Sequence, residues 1–208
     1  RHLRDHGAQM GVISTQERDP QVLVARARAV PTMEGQGLAQ DVSCTEPYVW
    51  TGGPSSLHEP QRPTDVTPTV VAYDYGIKRN ILRRLTDWGC QVTVVPASTP
   101  AEAVLDMQPH GIFLSNGPGD PAALPGIIAQ VRRLIGTTPI MGICLGHQIL
   151  ALALGANTMK LKFGHHGGNQ PIRDLRRERV LITAENHGFA VNPTTLPAAL
   201  EVTHVNLN

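Results

Sequence analysis

No stretch of this 208-residue chain approaches the ~20 consecutive apolar residues that a membrane-spanning helix requires, so no bilayer span is expected. Aromatics are scarce, with three Phe, two Trp and three Tyr, and no long basic block interrupts the mixed charges, whose formal sum is +1. Base-stacking platforms and phosphate-tracking surfaces have no visible basis, and nucleic acid is not an expected partner. The opening Arg1-His2-Leu3-Arg4-Asp5-His6 leads into no apolar core, so it does not read as a signal peptide. Cysteine is sparse and odd in number. Cys44, Cys90 and Cys144 lie far apart, the pattern of reduced thiols in a cytoplasmic protein rather than of a disulfide framework. An initiating methionine is also lacking, and the last residues, Val205-Asn206-Leu207-Asn208, read as the middle of a strand or the edge of a turn. A piece cut at both ends is expected. No Gly-x-x-x-x-Gly-Lys loop occurs, so ATP chemistry is not visible on this chain.

What is present is 41% hydrophobic content, enough for one large or two modest domains. Residues 1–50 give weak signals: Arg1 to Gly7 closes a helix, Gly11 to Ser14 is a short extended run, and Asp19 to Val30 alternates charge with apolarity without pointing to an element. From Thr51 to Pro68 the composition shifts to Gly52-Gly53, Pro54, Pro60, Pro63 and Pro68, a linker composition. The expected organisation is the end of a smaller N-terminal domain over 1–50, a linker over 51–68 and a main domain over 69–208. His58-Glu59-Pro60 holds acid–base residue types but reads as solvated linker.

After the linker, strands and helices alternate. Thr69–Tyr73, Gln91–Val95, Gly111–Ser115 and Pro139–Ile143 read as strands, and Ile77–Trp88, Pro100–Met107 and Leu124–Ile135 as helices. Ile77, Ile81, Leu82 and Leu85 share one face of the first helix, and Gly89 ends it. This order predicts an α/β fold, a mostly parallel doubly wound sheet with helices on both faces and ligands beyond the carboxyl ends of its strands. Past Ala156, short runs at Thr158–Lys162, Val180–Ala184 and Leu200–Val205 predict an added antiparallel flap.

The strand at Pro139 stops at a thiol. In Gly142-Ile143-Cys144-Leu145-Gly146-His147-Gln148 two glycines flank the cysteine at the spacing of a sharp strand-to-helix elbow, where bulky neighbours would collide. An elbow predicts a sparsely populated backbone conformation at Cys144. A sulfur there meets the unpaired N–H groups of a helix N-terminus, which favour the thiolate, and Cys144 is the candidate nucleophile. The rigid loop Ser115-Asn116-Gly117-Pro118-Gly119-Asp120-Pro121 follows the third strand and could offer backbone N–H groups to an oxyanion.

Gly-Ile-Cys-Leu-Gly-His-Gln resembles the nucleophile segment of class-I glutamine amidotransferases. Tyr73-Asp74-Tyr75-Gly76-Ile77-Lys78-Arg79-Asn80, the loop 115–121, Phe163-Gly164-His165-His166-Gly167-Gly168-Asn169-Gln170-Pro171 and Glu185-Asn186-His187-Gly188-Phe189 are similar to signature segments of one branch of that family, the small subunits of carbamoyl phosphate synthetases. The resemblance implies that Cys144 attacks the glutamine side-chain amide. It further implies that Gly117 and the Leu145 N–H form the oxyanion hole, and that Gly119, Gln148, Asn186, Gly188 and Phe189 contact glutamine. His187 is expected to be structural, and His147 to point elsewhere. No metal is expected, because the adjacent His165 and His166 point apart on a strand and no carboxylate cluster accompanies them.

The implied activity is release of ammonia through a Cys144 thioester, for synthesis of carbamoyl phosphate from bicarbonate and ATP on a large partner subunit, feeding arginine and pyrimidine biosynthesis. The chain itself would carry no cofactor, ATP and Mg belonging to the large subunit. The family's catalytic histidine and glutamate lie in a His-Pro-Glu segment that this sequence lacks, and a glutamine-contacting serine of its N-terminal domain is also missing. The 208 residues alone are therefore expected to be inactive. Two alternatives are an amidotransferase subunit for anthranilate or guanylate synthesis and a non-catalytic scaffold of the synthetase. The Asn-His-Gly-Phe and Phe-Gly-His-His-Gly-Gly-Asn segments argue against the first, and retention of Cys144 against the second.

Overall fold

The structure of the chain, a computed structural model, describes residues 5–53 and 66–208. Residues 1–4 of the expected opening helix, and most of the expected linker with His58-Glu59-Pro60, lie outside the described residues. Helix α1 (Pro20–Ala29) is opened by Asp19, whose side chain accepts from the Gln21 amide at 2.8 Å, and by a proline in its first turn. None of its residues is buried, so no apolar period marked it in the sequence.

The main sheet holds β1 (Tyr48–Val49), β2 (Thr69–Asp74), β3 (Gln91–Pro96), β4 (Gly111–Leu114) and β5 (Ile140–Gly142) in the order β1-β3-β2-β4-β5. Every pairing is parallel except that of the edge strand β1. Helices α2 (Arg79–Asp87), α3 (Ala101–Asp106), α4 (Pro125–Leu134) and α5 (Leu145–Ala153) follow β2, β3, β4 and β5 in turn. Strand alternation sorts the core into two layers. Val71, Tyr73, Ile112 and Leu114 pack with Val104, Ile127, Val131, Leu134, Leu145 and Ile149 from α3, α4 and α5. Ala72, Val92, Val94 and Phe113 pack on the other face with Leu82, Ile81 and Leu85 of α2. Helices thus cover both faces, as the alternating pattern predicts.

Element ends shift by a residue or two, and one shift has a clear cause. Helix α2 starts at Arg79 rather than Ile77 because Asp74 Oδ1 accepts the amides of Gly76 and Ile77 at 2.9 and 2.8 Å, holding a turn at the end of β2. Gly89, at φ 80°, ends the helix as expected.

The flap is antiparallel, with β6 (Thr158–Asp174), β7 (Arg179–Val191) and β8 (His204–Asn206) in the order β7-β6-β8. β6 and β7 are far longer than the short predicted runs, whereas β8 is shorter than the run predicted over Leu200–Val205. The segment Glu185–Val191, beyond the run expected at Val180–Ala184, is the second half of β7. Its polar residues are tolerated in the ladder because they face polar partners across it, His187 opposite His165 and Asn186 opposite His166. The glycine-rich stretch of β6 absorbs register shifts between Lys160 and His165 and between Gly167 and Gln170.

Residues 35–50, grouped by sequence with the preceding domain, lie against the sheet. Ala39 is fully buried, Ser43 Oγ accepts from the Ala97 amide at 2.8 Å, and the Cys44 amide donates to Asp74 Oδ2 at 2.9 Å. All three cysteines are free. Among the described residues no helix is long and apolar enough to cross a membrane.

Candidate active site

β5 passes into α5 through Ile143 and Cys144. Cys144 adopts φ 52° and ψ −109°, a conformation that costs a residue with a side chain about 1–3 kcal/mol. The strain expected of an elbow is present. Its neighbours leave no room for side chains. A Cβ at Gly142 would come within 2.5 Å of the Gly146 carbonyl carbon, and one at Gly146 would overlap the Leu114 carbonyl of β4. The Ile143 amide donates to the Leu114 carbonyl at 3.1 Å and the Gly146 amide to the Ser115 carbonyl at 3.0 Å, tying the elbow to the end of β4.

Around the sulfur, the Leu145 N–H favours the thiolate, and the thiol lies 3.8 Å from the Asn186 carbonyl oxygen of β7. Gly117 packs on the same elbow, where a Cβ would overlap the Tyr75 carbonyl oxygen and lie 2.8 Å from Leu145 Cδ2. Gln148, 5% exposed, donates from Nε2 to the Phe189 carbonyl at 2.7 Å and so fastens β7 to α5. Its amide nitrogen is spent on backbone, a role that substrate contact alone did not suggest. Phe189 is buried, with the Lys160 ammonium 5.5 Å from its ring centroid, and Gly188 lies beside the same lysine. Asn186 Oδ1 is engaged by His166 Nδ1 at 2.7 Å. Gly119, at φ 97°, lies against the backbone of Gln36 and Leu38. The structure thus gathers Cys144, Leu145, Gly117, Gln148, Asn186 and Phe189, with Gly188 in the same strand and Gly119 set against residues 36–38.

Burial pushes the Cys144 thiol up, and the Leu145 N–H and the Lys78 charge only partly offset it. Against the expectation of a favoured thiolate, desolvation of the sulfur works the other way and is the larger effect.

Three residues of this frame, Ser115, Asn116 and Lys78, were given no role of their own by the segments that contain them in sequence. Fully buried Ser115 accepts the Tyr75 amide on Oγ at 2.9 Å and donates to the Asn116 carbonyl at 2.8 Å. Asn116 accepts the Lys78 amide at 3.1 Å and donates to the Gly76 carbonyl at 3.0 Å, so the ends of β2 and β4 are cross-tied and Lys78 is held near Cys144. For Ser115 the available signal was a polar residue immediately after an apolar strand run.

His187 has both ring nitrogens engaged, Nδ1 with the Phe189 carbonyl at 2.7 Å and Nε2 with Glu185 Oε2 at 2.9 Å, leaving neither to act on the sulfur. His165 and His166 point apart, as expected, toward Glu185 and Asn186 respectively. The companion half of that expectation is corrected. Glu185 and His187 join His165 across the strand pair, with their ligand atoms within 4.8 Å of one another.

A model of the family described as glutamine amidotransferase class-I matches residues 71–208. Over its whole length the chain is 54% identical to the carbamoyl phosphate synthase small chain of Syntrophotalea carbinolica and 52% identical to that of Escherichia coli strain K12. Each match takes in 56% of the relative, so the chain spans about half the length of these curated relatives. A solved structure from Thermoplasma acidophilum, described as a GMP synthase component, is similar with a TM-score of 0.59 at 21% identity, over 69% of this chain and 75% of that one. At that identity the likeness is one of fold.

Proposed function

The chain belongs to the class-I glutamine amidotransferases, and from that membership we propose that Cys144 is the nucleophile of a glutaminase whose ammonia feeds carbamoyl phosphate synthesis on a large partner subunit. The observation that carries the reading is the strained elbow that holds the Cys144 thiol against Asn186 of β7. The identity to small chains of carbamoyl phosphate synthase over the whole length supports this role over one in anthranilate or guanylate synthesis.

In the proposed reaction the sulfur, once deprotonated, bonds to the side-chain amide carbon of glutamine. The amide oxygen takes the displaced electron pair as an oxyanion, received by the backbone N–H groups of Gly117 and Leu145. When the tetrahedral adduct collapses, the C–N bond breaks and the protonated nitrogen leaves as ammonia, giving a glutamyl thioester. Water then attacks the thioester, releasing glutamate and restoring the thiol. Because burial disfavours the Cys144 thiolate, a base is required, and His187, with both ring nitrogens engaged, is not free to serve. We assign that base to the family's His-Pro-Glu histidine, which the 208 residues do not contain. Gly119, Gln148, Asn186, Gly188 and Phe189 are proposed to hold the glutamine. ATP, Mg and bicarbonate would act on the large subunit, in the cytoplasm, in a complex serving arginine and pyrimidine synthesis.

The test is Cys144→Ser in the full-length protein assembled with its large subunit. Glutamine-dependent synthesis is expected to fall by orders of magnitude, while synthesis from added ammonium, which enters after the thioester, persists. Normal glutamine-dependent activity in that variant would remove Cys144 as the nucleophile.

A further inference from the structure

Across the β6–β7 pair His165 stands opposite His187, their rings edge-on with centroids 4.9 Å apart. Both reach one carboxylate oxygen. Glu185 Oε2 lies 3.1 Å from His165 Nδ1 and 2.9 Å from His187 Nε2. The other oxygen, Oε1, accepts from Asn206 Nδ2 at 3.0 Å and from Thr183 Oγ1 at 3.3 Å, which fixes the carboxylate and leaves Oε2 to the imidazoles. The three side chains are 18%, 16% and 20% exposed for His165, Glu185 and His187, sheltered but open to a small solute.

The tautomer of His187 decides what this arrangement can hold. A carbonyl oxygen only accepts, so the 2.7 Å contact with the Phe189 carbonyl places a proton on Nδ1. A neutral ring then turns the bare lone pair of Nε2 toward Glu185 Oε2, two acceptors 2.9 Å apart. A proton shared between the two groups satisfies that contact, and so does a cation held by both lone pairs. A histidine whose Nδ1–H is spent on a backbone carbonyl, with Nε2 aimed at a ligand position, has the orientation that protein frameworks give to metal-binding imidazoles.

We propose that His165 Nδ1, Glu185 Oε2 and His187 Nε2 bind a zinc ion. Two imidazoles and a carboxylate suit a borderline cation, whereas Mg and Ca take oxygen ligands. Tetrahedral zinc, with bonds of ~2.0–2.1 Å, spaces its donors by about 3.3 Å. The two pairs at Glu185, at 3.1 and 2.9 Å, need to open by only a few tenths of an ångström, and the His165–His187 pair lies within 4.8 Å. Three protein ligands leave the fourth position to water. The bound ion would clip β6 to β7 beside Asn186 and Phe189. The three ligands are none of the residues proposed to hold glutamine, although the site borders Asn186 and Phe189.

The experiment is zinc titration of the chelator-stripped, full-length protein against a chromophoric competitor, with cobalt substitution in parallel. One zinc per chain is expected, along with the intense visible bands of four-coordinate cobalt on the unsubstituted protein. Glu185→Gln and His187→Gln should each weaken uptake by about tenfold or more, while Cys144→Ser and His110→Gln should leave it unchanged. Uptake below one equivalent overturns the proposal, as does uptake indifferent to Glu185→Gln and His187→Gln. So does a ¹⁵N spectrum that shows His187 protonated on both nitrogens in the presence of zinc, since the proton then occupies the place assigned to the ion.

Discussion

Gly142 and Gly146 are glycines because of what surrounds them, not because of their torsions. A Cβ on Gly146 would meet the Leu114 carbonyl, and backbone cannot swing aside as a side chain can. Gly146→Ala is therefore expected to lower stability by about 1–3 kcal/mol in urea unfolding. Gly126, inside α4 with open space around it, is the contrast: Gly126→Ala should raise stability by about 0.4–1 kcal/mol. Equal effects in the two variants would show that the elbow is not tightly packed. At Cys144 the raised pKa has a readable sign. A thiol held protonated alkylates slowly at neutral pH, and its rate should climb with a midpoint above that of an ordinary cysteine. Lys78→Met removes a charge that favours the thiolate, so alkylation of the Cys144 peptide, followed by mass spectrometry, should slow further.

Helix α2 is anchored by one fully buried side chain, Leu82, packed on Ala72, Val92, Val94 and Phe113. Leu82→Ala should cost about 2–5 kcal/mol, the range for truncating a buried leucine beneath a helix that cannot collapse onto the gap. The join between α5 and β7 behaves differently. Gln148→Leu removes one donor from the Phe189 carbonyl, but His187 Nδ1 still donates to it, so no orphaned acceptor remains. The stability loss should be only about 1 kcal/mol. In the full-length protein with its large subunit, the KM for glutamine should rise while ammonium-dependent synthesis stays unchanged. An unaltered KM would mean that the α5–β7 join does not shape the proposed glutamine site.

The whole molecule adds a pH dependence through the flap. Asp174, buried at the end of β6, caps the turn into β7 by accepting the amides of Arg176 and Arg177, each at 3.1 Å. Burial alone would push its carboxyl up. The two amides and the charges of His204 and Arg177 outweigh that and hold it below the usual carboxylate range. The folded state thus favours the carboxylate, so this contribution is present above the unfolded pKa of about 4 and is lost as pH falls through the lower folded value. The urea midpoint should decline on acidification below pH ~4, and Asp174→Asn should flatten that decline. A decline of the same slope in Asp174→Asn would place the acid sensitivity elsewhere.

The parallel sheet and its helices were legible because their signals are local. Val70 to Asp74 and Gly111 to Leu114 carry apolar runs that only a doubly covered strand buries, and the Gly-x-Cys-x-Gly spacing needs nothing beyond five residues to imply an elbow. Helix α1 was not legible, since a helix with no buried face leaves no period in its sequence. The reach of β6 and β7 through polar, glycine-rich stretches was also hidden, because the partners that satisfy His165 and Asn186 lie some twenty residues away. By itself, then, the sequence determined the order of elements, the position of the thiol at a strand-to-helix turn and the family it resembles, all of which rest on neighbours along the chain. Only the tertiary structure decided that burial opposes the Cys144 thiolate, that Gln148 and His187 share the Phe189 carbonyl, and that two histidines meet one carboxylate. Desolvation and cross-strand contact are sums over atoms brought together by folding, and no spacing along the chain encodes them.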